Sequence, residues 1–562
     1  MSSPNTADAA TFNDVSVFAQ EHEQRWGRVL LCGGTDWPRL GRKERSGASK
    51  KSQEDSNVTT SPDLLEPHIL RSLSNVKAAS IHASCVGCHV VVLDTDGVAW
   101  MFGRSERGAL GMAGVDVISE NAPRRLTAQE LGAPEGTTFV HAACGRSHTL
   151  LVGSGGQLWS AGANTAGQCG HPACAEIAPF RLVDPPKVGG EKEKVVRAAA
   201  GVTFSIILTE SGKVFAFGSG EHGQLGNGKT GEHIVSAGKT AFDVEWEPIP
   251  VKGLEGKNIV QIACGQQHSV ALDTAGLVYV WGYNGYCRLG LGNQQDMLIP
   301  KLVPQFAGPN EMTMGAEAIA GPSNTVIIDK QRMYWMAGKW KNTGDGSSGQ
   351  PYSSFRYLPD IMGCKVTHAA CGGVTHWALA PDEDDGSIMT IAFGQGAGNG
   401  ELGLGPDEPK SATKPTRCQP LTGVEVFQIA AAQNTTFFLA KPNESLSELQ
   451  RHPLEVDAPE QCVVCEANTE DDEGDALLEC EKCDWPYHLK CLDPPLDAVP
   501  EGEWFCPDCE DDPGAPVGPE APKRSRGSKG RGAMKKGLPE PRTGQKRKAP
   551  AKSKSSASKR QK

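Results

Sequence analysis

The sequence predicts a mainly β protein: a seven-bladed β-propeller, a small metal-bound finger, and a disordered basic tail. Three observations predict it. A short apolar strand ending in glycine recurs seven times between Gly33 and Gly394. Eight Cys and His side chains stand as four close pairs between Cys462 and Cys509. From Ala521 to Lys562 the chain carries 16 Lys and Arg against a single acid, Glu540.

Charge and composition narrow the function classes. The 562 residues carry a net charge of −11, so the +15 of the tail leaves −26 on residues 1–520. Between Pro459 and Asp512, 18 acids face only Lys482 and Lys490. An acidic module beside a basic tail implies two partners of opposite charge. No apolar run approaches membrane-span length, so no membrane partner is expected. The N-terminal stretch MSSPNTADAATFNDVSV lacks the basic-then-apolar layout of a signal peptide. A reducing compartment follows, where clustered thiols mean metal rather than disulfides.

Residues 1–24 read as a disordered leader, and residues 25–442 as the propeller. The strand-and-glycine motif appears at Gly33, Gly103, Gly162, Gly218, Gly282, Gly338 and Gly394, at intervals of 70, 59, 56, 64, 56 and 56. A second motif alternates with it: a small-residue strand, a polar turn, then an apolar strand, as in AACGRSHTLLV and IACGQQHSVAL. Each unit therefore holds several short strands that cannot bury both sheet faces alone, whereas seven stacked radially can. Ala, Cys and Gly suit crowded inner strands near the axis. The first copy has only the VLLCGG half and the last, AAAQNTTFFLA, only the other, so the two complete one blade and close the ring. Two insertions break the period, at Arg42–Pro67 and Lys229–Pro248, and the sixth repeat lacks the Leu-Gly turn. Loops of that size are commonly functional.

Residues 443–458 read as a linker with one helical turn, residues 459–512 as the finger, and residues 513–562 as the disordered tail. Pairs spaced two residues apart each let one tight turn supply two ligands, and four pairs make two closed tetrahedral sites for two zinc ions. The tail is rich in Pro, Gly, Ser and Lys and nearly free of apolar residues. Its PKRSRGSK, GQKRKAPAKSK and SKRQK clusters look like nuclear-localisation signals and could also hold the phosphates of DNA or RNA.

The repeats resemble the regulator-of-chromosome-condensation family across roughly residues 25–442. The stretches GRVLLCGGTDWPRLGRKE, AACGRSHTLLV and LGLGPDEPKSATKP look closer to its mitotic, telophase-disc paralogue than to the Ran exchange factor. In that paralogue an insertion like Lys229–Pro248 is associated with small-GTPase contact. The finger, with ligand order four Cys, one His, three Cys, resembles the plant homeodomain (PHD) finger. A RING finger would have His at the position of Cys483. The resemblance implies a cross-brace: Cys462, Cys465, His488 and Cys491 at one site, and Cys480, Cys483, Cys506 and Cys509 at the other. It also implies a histone H3 N-terminal tail added as a strand along Leu477, Leu478 and Glu479. Asp475 and Glu481 would pair with the tail's cations, with Asp472 and Glu473 nearby. The Gly502–Trp504 loop would hold its free amino end. The family's cage Trp falls two residues before the ligand His, where this chain has Pro486; Trp485 stands three before. Unmodified or low-methylated lysine is therefore favoured, because trimethyl-lysine needs an aromatic cage.

Other tempting motifs read as structural. Cys85 recurs as Cys144, Cys264 and Cys371, and His148 recurs as His268 and His376, so both series fit the core of the repeat. GQGAGNG from Gly394 is a blade turn without a P-loop Lys. No nucleophile–base arrangement stands out, and the chain reads as a non-enzyme. The function expected is a nuclear, chromatin-associated adaptor; the alternative is exchange or regulation of a small GTPase by the propeller. A ubiquitin ligase is disfavoured by the ligand order.

Overall fold

In the computed structural model the described residues are 25–41, 62–235, 238–341, 349–467 and 477–518. The proposed leader, most of the Arg42–Pro67 insertion, part of the sixth-repeat loop, Asp472, Glu473, Asp475 and the basic tail lie outside them. Seven sheets of four or five strands, antiparallel except for one added strand, are arranged around one axis. In the fourth blade, Ile259–Cys264, His268–Asp273, Val278–Gly282 and Met297–Leu302 run from axis to rim. A cavity of about 250 Å³ on the axis is lined by the first strand of every blade, chiefly through Ala142–Cys144, Ala198–Ala200, Ala318–Ala320 and Ala369–Cys371. Small side chains are required there because seven strands converge.

The second strands are buried along their whole length, as in His89–Leu93 and Phe204–Thr209. Each is packed on both faces by neighbouring blades, which is why their apolar runs are continuous rather than alternating. Outer strands such as Cys174–Leu182 are largely exposed. The glycine ending each third strand marks a close approach. At Gly162, with φ 118°, a Cβ would fall 2.3 Å from the Ser147 carbonyl oxygen.

Ring closure follows the split motif. The seventh sheet runs Val426–Ala431, Thr435–Ala440, Arg28–Gly33, Leu64–Leu70, with Leu30 opposite Phe438 and Leu31 opposite Phe437. A fifth strand not foreseen, Arg451–His452, adds in parallel to Leu64–Leu70. The 443–458 segment is thereby stitched to the propeller: it holds the helical turn Glu444–Ser447, capped by Asn443, and then joins the closing blade. Propeller, connecting segment and finger belong to one compact unit.

The recurring histidines bridge blades. His89 Nε2 lies 3.0 Å from Thr149 Oγ1, His148 Nε2 2.9 Å from Ser205 Oγ, and His268 Nε2 3.0 Å from Thr325 Oγ1, each in the next blade. His376 Nε2 accepts from Asn324 Nδ2 at 2.6 Å in the preceding one. Burial pushes His89 down to about 4 and His148 and His376 to about 3, so they are neutral hinge pins rather than acid–base groups.

Candidate metal centres and the acidic face of the finger

Residues 477–518 fold around ligands more than around a core. A two-stranded hairpin pairs Leu477–Glu479 with Pro486–His488, and a short helix spans Pro507–Asp511. Glu466 and Asp484, each just after the second Cys of a pair, adopt φ of 58° and 55°. Those left-handed residues turn the chain so that both thiols of a pair face one point.

The structure gathers Cys462, Cys465, His488 and Cys491 in one cluster and Cys480, Cys483, Cys506 and Cys509 in the other, with ligand atoms within 4.8 Å of one another. The interleaved pairing is the one the resemblance implied. Cys483 Sγ and Cys506 Sγ are 3.8 Å apart. That is the edge of a tetrahedron with metal–sulfur bonds of about 2.3 Å. His488 presents Nδ1, 3.2 Å from Cys465 Sγ. Backbone N–H groups of His488 and Cys506 donate to Cys462 Sγ and Cys480 Sγ at 3.4 and 3.3 Å. Burial is the largest influence on Cys462 and opposes ionisation, yet N–H groups of Cys465, His488 and Val464 hold its thiol down to about 7. Two sets of four soft donors, each with no open position, suit structural zinc ions.

Among the described residues, no other group of Cys, His, Asp and Glu converges in this way. Cys85 instead lines the axial cavity, where burial pushes its thiol up to about 12.

The residues expected to face a peptide are partly engaged already. Leu477–Glu479 pairs on one side only, with Pro486–His488, so one edge of this hairpin has no partner strand among the described residues. Leu478 packs into the finger core with Tyr487 and Trp504, whose rings meet edge to face at 5.6 Å. Trp504 accepts, through its carbonyl, the N–H of Glu481 at 3.0 Å. Trp485 turns its indole Nε1 to the Asp457 carbonyl at 3.1 Å. Gly502, at φ 86°, has open space around it.

Sequence reasoning missed the surface beneath the finger. Arg451, on the fifth strand, bonds the Glu481 carboxylate. Arg71 Nη1 donates to Asp484 Oδ1 at 2.6 Å, and Arg28 Nε donates to Glu503 Oε2 at 2.8 Å. Lys482 Nζ donates to Asn75 Oδ1 at 3.1 Å, while Asn75 Nδ2 donates to the Cys509 carbonyl at 2.5 Å. Past the finger, the Val517 N–H donates to the Asn121 carbonyl at 3.0 Å. A buried node anchors the same region: Glu120 accepts from Trp37 Nε1 at 2.6 Å and sits 2.8 Å from His452 Nε2. The Arg451-His452 pair, lying just before an acidic module, was the available signal.

Comparison with known proteins covers both regions. A family model described as an RCC1-like domain matches residues 28–438, and one described as a PHD-finger matches residues 462–509. Protein RCC2 of Mus musculus is 31% identical over 445 residues, spanning 76% of this chain and 79% of that protein. The RCC2 homolog of Xenopus laevis is 29% identical over 429 residues, spanning 74% and 78%. Among solved structures, yeast RCC1 (Prp20) bound to Kap60 superposes with a TM-score of 0.57 at 17% identity, covering 80% of this chain and 98% of that one. At that identity the likeness is one of fold.

Proposed function

This chain belongs to the family of proteins with an RCC1-like domain, and from that membership we propose that it is a non-catalytic, chromatin-associated adaptor of the nucleus. Its PHD-type finger, held by two zinc ions, reads the histone H3 N-terminal tail. Cys462, Cys465, His488 and Cys491 hold one ion; Cys480, Cys483, Cys506 and Cys509 hold the other. Zinc supplies fold, not chemistry, by replacing a core too small to stand alone.

The observation that carries the reading is the half-paired strand Leu477–Glu479 set between acidic residues. An extended cationic peptide can add there through backbone hydrogen bonds, with carboxylates of Asp475 and Glu481 selecting Lys and Arg. Pro486 is buried in the partner strand and offers no cage wall, which favours unmodified or low-methylated lysine. The basic tail adds a nuclear address and grip on nucleic-acid phosphates. Titrating the full-length protein with H3 tail peptides tests this. The unmodified peptide should bind more tightly than one trimethylated at its fourth lysine, and Asp475→Lys should cost about 1–3 kcal/mol. Failure of the unmodified peptide to bind overturns it.

A second reading concerns the propeller. The insertion in the third blade folds as a small hairpin, His233–Ile234 against Thr240–Ala241, and leaves Ile234 81% exposed, while Val244 and Trp246 belong to the blade's outer strand Val244–Pro250 and are only partly exposed. An apolar projection of this kind supports contact with a protein partner. The yeast Prp20p structure was described together with binding to Gsp1p and histones. The partner favoured here is a small GTPase. Nucleotide release from a panel of small GTPases, with and without Ile234→Asp, tests it; no acceleration by the wild-type protein counts against exchange.

A further inference from the structure

We infer that the finger is gated from within the chain: Arg451 of the connecting segment occupies the carboxylate of Glu481 that an incoming cationic peptide needs. The inference rests on the tail-reading role just proposed and concerns its regulation.

Three arginines and three acids meet between the two modules. Arg451 pairs with Glu481, Arg71 with Asp484 and Arg28 with Glu503. Each of the three carboxylates thus already has a guanidinium partner. Arg28 and Arg71 are almost wholly buried under the finger, with side chains 7% exposed against carboxylates 16% and 35% exposed, whereas Arg451 itself keeps 25% exposure beside a Glu481 that is 30% exposed. The first two arginines are therefore fixed in the dock, and Arg451 is the one whose side chain has room to leave its carboxylate. A solvated ion pair is weak enough to be exchanged.

The segment bearing Arg451 reaches a second peptide-facing residue as well, since the Asp457 carbonyl accepts the Trp485 indole N–H. Its backbone cannot drift away, because Ile69 and Leu70 pair with Arg451 and His452 and the Glu120 node holds the His452 ring. Only the Arg451 side chain has to swing aside. A guanidinium already placed on Glu481 also states the chemistry of the competitor: a peptide bearing Arg or Lys that can displace it and add the backbone bonds of an extra strand.

The test uses full-length wild type, Arg451→Gln and Glu481→Gln, read in two ways. The first is the affinity for an unmodified H3 tail peptide. The second, needing no peptide, is amide hydrogen exchange across residues 477–491. Gating predicts that Arg451→Gln binds about 5- to 10-fold more tightly, that Glu481→Gln loses affinity, and that Arg451→Gln exchanges faster near Glu481. If the wild type binds the peptide and Arg451→Gln binds no more tightly, the gate is overturned while the tail reading stands. If neither binds, the tail reading falls and the gate falls with it, because faster exchange alone reports only a lost ion pair.

Discussion

Cysteines in the two modules live in opposite surroundings. In the propeller, Cys85 and Cys144 line the axis with alanines, and burial pushes both thiols up to about 12. In the finger, Cys462 lies beneath backbone N–H groups and is held down to about 7. One set behaves as small apolar side chains and the other as metal ligands in waiting. The residue type is the same; whether three further ligand atoms converge on the thiol decides its chemistry. The propeller is built on interlocked sheets, and the finger on two clusters of donors able to hold a metal.

The largest way to break this contrast is to remove the metal. A strong chelator should unfold residues 477–512, since apparent zinc-binding energies of about 10–16 kcal/mol are folding energies in such sites. Thiol alkylation read by mass spectrometry should then label the finger cysteines while Cys85 and Cys144 stay unlabelled. Labelling of the axial thiols at the same rate would erase the distinction.

Next comes the closing blade. Phe438 is fully buried opposite Leu30, with its ring 5.1 Å from that of Trp377. Phe438→Ala should cost about 3–5 kcal/mol in denaturant unfolding of the propeller as a whole. A partial transition confined to one edge would argue against a closed ring.

The neutral histidines set the acid limit. His89, His148 and His376 have folded values near 4, 3 and 3, below the ordinary value of about 6.5. The unfolded chain binds protons first, so their contribution is complete above about pH 6.5 and is lost as pH falls toward 3–4. Each can steepen the loss by up to about 1.4 kcal/mol per pH unit. Unfolding titrations of wild type and His148→Gln should differ in slope across that window; identical slopes would mean His148 is already charged in the fold.

The smallest effect is expected at Cys85→Ala, about 1 kcal/mol for the lost packing, with metal content unchanged. Cys480→Ala, by contrast, should release an ion from the purified protein. A metal deficit in Cys85→Ala would move that cysteine into the other class.

Much of this was legible in the sequence because it repeats. Gly103, Gly162 and Gly218 mark third strands where only a missing side chain lets neighbouring backbone approach, and that demand recurs in each blade. The eight ligands were legible because tetrahedral geometry fixes their spacing. The dock between modules has no period. Arg28 and Glu503 are 475 residues apart, and nothing local distinguishes either from a solvated surface charge. From sequence alone Glu481 reads as peptide-facing and Arg451 as linker, because a lone parallel two-residue strand leaves no pattern.

The split blade also sets an order for the molecule's making. Arg28–Gly33 emerges from the ribosome early, but one neighbour, Thr435–Ala440, follows some four hundred residues later. At roughly 5–20 residues per second the wait is on the order of tens of seconds. Throughout it, an apolar strand, RVLLCG, has an unsatisfied hydrogen-bonding edge. The ring therefore cannot close until residues 435–440 have been made, and this strand waits longer for its second partner than for its first, Leu64–Leu70.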